Sequence, residues 1–293
     1  MRLPEWIKTR HHTGLHDTKH LLRRHGISTV CEDARCPNRD ECFLKPTATF
    51  LILGPHCTRN CGFCSVTSGS PISVNTDEPE RVAEASAEMN LRYVVITSVT
   101  RDDLPDGGAG QFARTIRAVR RRLPEARIEV LTPDFKGDIN SIALVLDAQP
   151  DVFNHNVETI QRLYPVVRQQ ADYLRSLSVL RSAREMLPAL TVKSGFMLGL
   201  GESRNEIAQL LADLRETGCD MLTIGQYLRP TKKNLPVVKY IPPEIFEELK
   251  ETALSMGFGF VAAGPLVRSS RNAEEMYEYR RGDTIGVIDI ADV

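Results

Sequence analysis

No run of about 18 apolar residues, the length a membrane-crossing helix requires, occurs in the chain. Nor does the opening MRLPEWIKTRHH hold the apolar core of a secretory leader. Charge of either sign is not in excess: 37 Lys+Arg face 38 Asp+Glu, a net charge of −1, which removes any global pull toward nucleic acid or anionic membrane. Low-complexity tracts and strict repeats are also missing. What remains is ordinary globular composition, 42% hydrophobic and 26% charged over 293 residues, enough for a sizeable core. These absences lead us to expect a cytoplasmic protein with reduced thiols. Clustered cysteines there are metal ligands or catalytic groups rather than disulfides.

Cysteine is scarce except in one place. Six of the seven fall within the 34 residues from Cys31 to Cys64, in two sets of three. Cys31, Cys36 and Cys42 read C-x4-C-x5-C; Cys57, Cys61 and Cys64 read C-x3-C-x2-C. Three thiolates hold three corners of a 4Fe–4S cluster and leave the fourth iron open to a substrate or cofactor. Two triplets therefore suggest two clusters with different jobs. Structural zinc prefers C-x2-C pairs and four closed ligands, and only Cys61 and Cys64 form such a pair. Cys219, in RETGCDMLTI, reads as a small buried apolar residue. His11, His12, His16 and His20 read as exposed histidines in preference to a metal site. Arg120, Arg121 and Arg122 read as a solvated helix end favoured by the macrodipole.

Strand and helix patterns alternate along the chain. Strands are expected at Thr47–Gly54, Arg92–Val99, Arg127–Thr132, Asp151–Val157, Thr191–Leu198, Met221–Leu228 and, briefly, Phe258–Ala263. Helices are expected at Asp77–Asn90, Gln111–Leu123, Ile139–Ala148, Ala171–Met186, the segment capped by Ser203 and Glu206 through Glu216, and Glu244–Met256. Such alternation implies parallel strands joined by right-handed crossovers. Polar residues recur at or just past the strand ends: Thr97 and Ser98, Thr132 and Asp134, Asn154 and Asn156, then Glu202 and Gln226. A barrel gathers those ends on one face, where active sites sit; an open sheet would scatter them. The expected fold is α/β, a partial (β/α)6 TIM-type barrel with N- and C-terminal extensions. Residues 1–46 carry the first triplet, 47–263 form the barrel, and 264–293 form a C-terminal extension, together one integrated domain.

The second triplet follows the first strand and so hangs at the barrel mouth. With Phe63 before its last cysteine, it resembles the motif of the radical S-adenosylmethionine superfamily. That resemblance implies that the open iron chelates the methionine moiety of S-adenosylmethionine, with Phe63 near the adenine. It also implies that an electron from the cluster yields a 5′-deoxyadenosyl radical able to take hydrogen from unactivated carbon.

Between residues 31 and 272 the chain resembles the lipoyl synthase family. The matching stretches include CEDARCPNRDEC, TSVTRDDLPDGGAGQFA, LTPDFKGD, FNHNVET, TVKSGFMLGLGE, TIGQYLRPTKKNLPV and AAGPLVRSS. The C-x4-C-x5-C spacing just upstream of the radical motif discriminates most. Arg271 departs from the pattern, standing where the family commonly has Tyr. The tail TIGVIDIADV matches nothing.

The resemblance implies an enzyme, a sulfurtransferase that inserts two sulfur atoms at carbons 6 and 8 of an octanoyl chain on a lysine of a lipoyl carrier domain. It implies two 4Fe–4S clusters and S-adenosylmethionine, consumed once per insertion. The cluster on Cys31, Cys36 and Cys42 is the sulfur donor, and Ser270, or else Ser269, is its fourth ligand. The residues alone would make these serines helix caps. Ser98, Asn154, Asn156, Glu158 and Lys193 are candidate cofactor contacts. Gly107, Gly108 and Gly110 either line the cofactor or make a turn, and Arg268 and Arg271 either hold the serine loop or meet acidic residues of the carrier. Implied partners are the octanoylated glycine cleavage H protein and E2 subunits of 2-oxoacid dehydrogenases, a ferredoxin or flavodoxin donor, and an iron–sulfur cluster carrier. Two competing readings are a biotin-synthase-like radical enzyme and a non-enzymatic cluster carrier. The spacing and RSS motif argue against the first. The barrel and its polar face argue against the second.

Overall fold

The computed structural model describes residues 2–7, 16–44 and 49–281. The readings of His11 and His12 and of the tail TIGVIDIADV lie outside them. Eight strands form one ladder in chain order: β1 (Ser28–Thr29), β2 (Thr49–Ile52), β3 (Tyr93–Ser98), β4 (Arg127–Leu131), β5 (Val152–Asn154), β6 (Thr191–Leu198), β7 (Met221–Gln226) and β8 (Phe260–Gly264). Strands β2 to β8 are parallel, and β1 pairs antiparallel with β2. Crossover helices Glu78–Glu88, Ala109–Arg122, Ile139–Leu146, Tyr173–Met186, Arg204–Glu216 and Pro243–Ser255 link the parallel strands. The ladder stays open, with β1 and β8 at its two ends. It is the partial barrel of six β–α units that the alternation predicts, completed by a seventh parallel strand.

Each strand divides its side chains between two faces. In β4, Ile128 and Val130 join the main core, while Glu129 points into the bore toward Tyr93, Asn154 and Lys193. The helix Arg204–Glu216 carries the expected capping box of Ser203 and Glu206 and buries Ile207, Leu210, Leu211 and Leu214. Among the described residues no helix is long and apolar enough to cross a membrane.

Three departures from expectation have physical reasons. Strand β5 stops at Asn154, three residues short of Val157. Past it, the His155 N–H turns to the Lys193 carbonyl, and Glu158, at φ 66°, rejoins β6 through the Gly195 carbonyl and the Met197 N–H. The helix expected at Gln111 starts at Ala109, because Gly108 at φ 93° begins it and Asp106 accepts from the Gly108 and Gly110 N–H groups. A Cβ at Gly108 would lie 2.3 Å from Leu53 Cδ1, so the DGGAG glycines serve a tight turn against the core. Finally, β1 was not expected, since two residues show no alternation.

The described segments before β2 and after β8 pack onto the barrel. The C-terminal helix Ala273–Arg281 places Ala273 and Tyr277 against Tyr93, Val95 and Val152, and Met276 against Met221, Phe260 and Ala262. It therefore plugs the bore at the N-terminal ends of the strands. Before the N-terminal cysteines, helix His16–Arg24 hydrogen-bonds through Thr18 to the Phe43 carbonyl, and its His20 is exposed.

Candidate active site

A cavity of about 620 Å³ opens at the C-terminal ends of the strands. All three cysteines of the second triplet and Cys31 and Cys36 of the first line it, as do Ser269 and Ser270. Cys42 lines a second cavity of about 220 Å³ that Ser270 also borders. Both triplets and the serine pair thus converge from sequence positions more than two hundred residues apart.

The Cys57–Cys64 loop is held on every side. Cys57 pairs with the chain at Thr67 and Gly69, Gly62 N–H donates to the Val167 carbonyl, and Asn234 Nδ2 donates to the Cys64 carbonyl at 2.7 Å. The Cys57 sulfur accepts from the Arg59 and Thr100 N–H groups, both at 3.4 Å. Arg59 drives the loop into the barrel top: it donates to Asp102 at 2.7 and 2.9 Å and to Asp134 at 2.9 and 2.7 Å. Burial alone would lift the Asp134 carboxyl, but the hydrogen bonds and charge of Arg59 overcome it and hold it well below the usual carboxylate range.

In the first triplet Cys31 sits on the short helix Val30–Asp33, Cys36 in the turn after it, where its N–H donates to the Cys31 carbonyl at 3.1 Å, and Cys42 on the next short helix, Arg39–Leu44. Contacts from later in the chain fasten this segment. Asn38 Nδ2 donates to the Leu266 carbonyl (2.7 Å), Ser65 Oγ to the Asp33 carbonyl (2.7 Å), and Arg271 pairs with Glu41 (3.2 Å). Arg271 therefore does hold the serine segment against the first triplet.

The two serines differ. Ser269 Oγ donates to Asn156 Oδ1 at 2.9 Å and lies 3.2 Å from Thr223 Oγ1, and its carbonyl accepts from Lys193 Nζ at 2.6 Å. The half-buried Ser270 hydroxyl makes no hydrogen bond to a described residue.

All seven cysteines are free thiols. Burial first, then the neighbouring Cys36, pushes Cys31 up to about 11. Burial likewise pushes Cys42 and Cys64 to about 12 and raises Cys61. Cys219 is buried in the core, as expected, and also pushed to about 12. Thiols so placed ionise only when a metal takes the proton's place. Among the described residues no three His, Cys, Asp or Glu groups close on a single-ion site. Sulfurs spread around a common space suit a cluster, in which each thiolate takes a different iron. Cys57, Cys61 and Cys64, which share one cavity, therefore fit an iron–sulfur cluster.

Of the other sequence-derived candidates, Phe63, Ser98, Asn156 and Glu158 line the large cavity. Phe63 packs toward Val167, Leu200 and Tyr227. The Ser98 hydroxyl is buried without a partner. Burial raises the Glu158 carboxyl, opposed by Arg168. Asn154 and Lys193 are placed differently. Both are fully buried below the cavity, and both donate to Glu129. Gly107, Gly108 and Gly110 do not line the cavity, whereas Arg268 does.

Sequence reasoning missed Arg59, Glu129, His155 and Arg168. His155 Nδ1 meets the Thr132 carbonyl at 2.9 Å, while its Nε2, at the cavity wall, has no partner. Arg168 Nη1 donates to the Asn156 carbonyl and Tyr164 hydroxyl, both at 3.0 Å. The detectable signals were Arg59 between Cys57 and Cys61 and His155 inside FNHN.

Residues 51–214 match the radical SAM superfamily. Over 285 residues the chain is 55% identical to the lipoyl synthase of Rubrobacter xylanophilus, covering 97% of this chain and 89% of that one. The chain belongs to the lipoyl synthase family. It is also 53% identical over 276 residues to the lipoyl synthase of Caldicellulosiruptor bescii, covering 94% and 95% of the two chains. Among solved structures it resembles methylornithine synthase, with a TM-score of 0.56 at 14% identity over 95% of both chains. It also resembles HydG, a maturase of the [FeFe]-hydrogenase, with a TM-score of 0.55 at 15% identity over 84% and 62%. At such identities these two likenesses speak to the fold alone. Lipoyl synthase membership within the radical SAM superfamily implies a 4Fe–4S cluster and S-adenosylmethionine.

Proposed function

We propose that the protein is a lipoyl synthase that inserts two sulfur atoms, at carbons 6 and 8, into an octanoyl chain amide-linked to a lysine of a carrier domain. The observation that carries this reading is the convergence of both cysteine triplets and Ser270 on adjoining cavities of a radical SAM barrel. Cys57, Cys61 and Cys64 hold the radical cluster, and Cys31, Cys36, Cys42 and Ser270 hold an auxiliary 4Fe–4S cluster. Bound there, the two clusters and S-adenosylmethionine supply hydrogen abstraction from unactivated carbon and the sulfur that replaces that hydrogen.

The chain's own residues bind, orient and exclude. Arg59 fixes the radical-motif loop to Asp102 and Asp134, so its three sulfurs keep one geometry. Phe63, Ser98, Asn156 and Glu158 offer the cofactor an apolar face, a hydroxyl, an amide and a carboxyl in one cavity. Arg168 and the buried His155 back that wall. Commitment of the Ser269 hydroxyl to Asn156 and Thr223 supports Ser270 as the auxiliary ligand. A serine oxygen is harder than a thiolate and holds soft iron less firmly, which suits a cluster that gives up sulfur.

On this reading residues 1–46, 47–263 and 264–293 work as one integrated domain in the cytoplasm. Its partners are octanoylated H protein and E2 domains, a ferredoxin or flavodoxin donor, and a cluster carrier that restores the auxiliary site. The test is mass spectrometry of an octanoyl-lysyl peptide after anaerobic incubation with reconstituted protein, S-adenosylmethionine and a low-potential reductant. A gain of two sulfurs with loss of two hydrogens is expected. An unchanged peptide alongside released 5′-deoxyadenosine would remove the assigned substrate.

A further inference from the structure

Fully buried lysines are rare, and the bore of this barrel holds one. Lys193 and Glu129 each have side chains 0% exposed. Lys193 Nζ lies 3.0 Å from both Glu129 oxygens and 2.6 Å from the Ser269 carbonyl oxygen. Three ammonium donors thus meet three acceptors. Glu129 is itself held by the Tyr93 hydroxyl at 2.8 Å and by Asn154 Nδ2 at 2.9 Å, so β3, β4, β5 and β6 all contribute to the anchor.

We propose that Lys193 is a positioning residue for the auxiliary cluster: anchored on Glu129, it grips the Ser269 carbonyl and thereby sets where the Ser270 hydroxyl stands. This rests on the reading of Ser270 as a cluster ligand. A buried ion pair is not needed for stability, because apolar residues of similar volume often serve as well. What an apolar pair cannot do is hold a carbonyl of a segment 76 residues further along the chain. That segment has been admitted deliberately. A Cβ at Gly225 would lie 2.5 Å from the Val267 carbonyl oxygen, and one at Gly195 would lie 3.1 Å from Ser269 Oγ. With its carbonyl held by Lys193 and its hydroxyl by Asn156 and Thr223, Ser269 has no freedom left, and the direction of Ser270 follows.

The test uses the full chain with Cys57, Cys61 and Cys64 replaced by Ala, so that only the auxiliary cluster loads. Iron release to a chelator is followed by absorbance, and folding by circular dichroism. Lys193→Met alone and the double change Glu129→Leu with Lys193→Met, which leaves no unpaired charge, are both measured. Each is expected to release iron about 10-fold faster or more, as loss of outer-shell support typically does, and added Ser270→Cys is expected to restore slow release. Release at the parent rate in the double variant, with faster release in Ser270→Ala, overturns the proposal and leaves the ligand reading standing. Parent-rate release in Ser270→Ala itself overturns the ligand reading and the proposal with it. Faster release that Ser270→Cys does not correct also overturns the proposal, because it marks general loosening.

Discussion

Ser269 and Ser270 are chemically the same, and only their surroundings separate them. Because thiolate binds soft iron more firmly than alkoxide, Ser270→Cys is expected to keep the auxiliary iron and slow sulfur transfer. Iron per chain and sulfur incorporated into the octanoyl peptide measure the two effects, and unaltered turnover would count against Ser270. His155 gives a second prediction. Burial first, and then Arg168, lowers its pKa from 6.5 to about 4, so the folded chain holds it neutral where an unfolded chain takes up a proton. A depressed base contributes stability in full above pH 6.5 and loses it as pH falls toward 4. Between about pH 7.5 and pH 5 the loss is about 2 kcal/mol. Urea unfolding of the metal-free chain at both pH values should show that loss, and His155→Asn should flatten it.

Among elements, the radical-motif loop depends most on a single side chain. Replacing Arg59 with Met leaves the buried Asp134 only the longer, 3.5 Å pairing with Arg175, which is expected to cost about 3 kcal/mol in denaturant unfolding. It should also slow 5′-deoxyadenosine release more than it lowers auxiliary iron. Gly195→Ala acts on the other site, since its Cβ would lie 2.3 Å from Thr223 Oγ1 and 3.1 Å from both Asn156 Oδ1 and Ser269 Oγ. Iron analysis should find the auxiliary site impaired and the radical site largely filled.

The same scale shows what the sequence could tell. Apolar periodicity predicts the seven parallel strands and their helices because each buries a face in the main core. The cysteine spacings predict that Cys57, Cys61 and Cys64 gather at one cavity, because neighbours in sequence stay neighbours in space. Asn154 and Lys193 were expected at the cofactor because they fall near strand ends. Their true partner, Glu129, lies 64 residues from Lys193, and nothing in one sequence pairs charges across a bore. The hint was local: RIEVL places a charge between two apolar neighbours, and TVKSG places one between Val192 and Ser194 inside a strand. The early end of β5 was hidden for a similar reason, because the hydrogen bonds that divert it belong to β6.

Taken whole, the described segments on either side of the barrel meet each other across it. Asn38 meets Leu266, Glu41 meets Arg271, and the helix Ala273–Arg281 stoppers the bore. Truncation after Asn272 would bare Tyr93, Val152, Met221 and Phe260. Thermal unfolding should then broaden and auxiliary iron fall, with radical-site iron retained in larger share; an unchanged transition would deny the helix that role.

The separation of 228 residues between Asn38 and Leu266 also has a meaning in time. Ribosomes add roughly 5–20 residues per second, so the first thiols emerge about 10 s or more before the serines exist. During that interval the radical-motif loop and its β–α units can form behind them, but on the proposed ligand set the auxiliary site has three of its four ligands and no floor. On that set its metal is seated stably only once residue 270 has emerged. Order of synthesis then makes the auxiliary centre a late part of the molecule, finished well after the thiols that begin it.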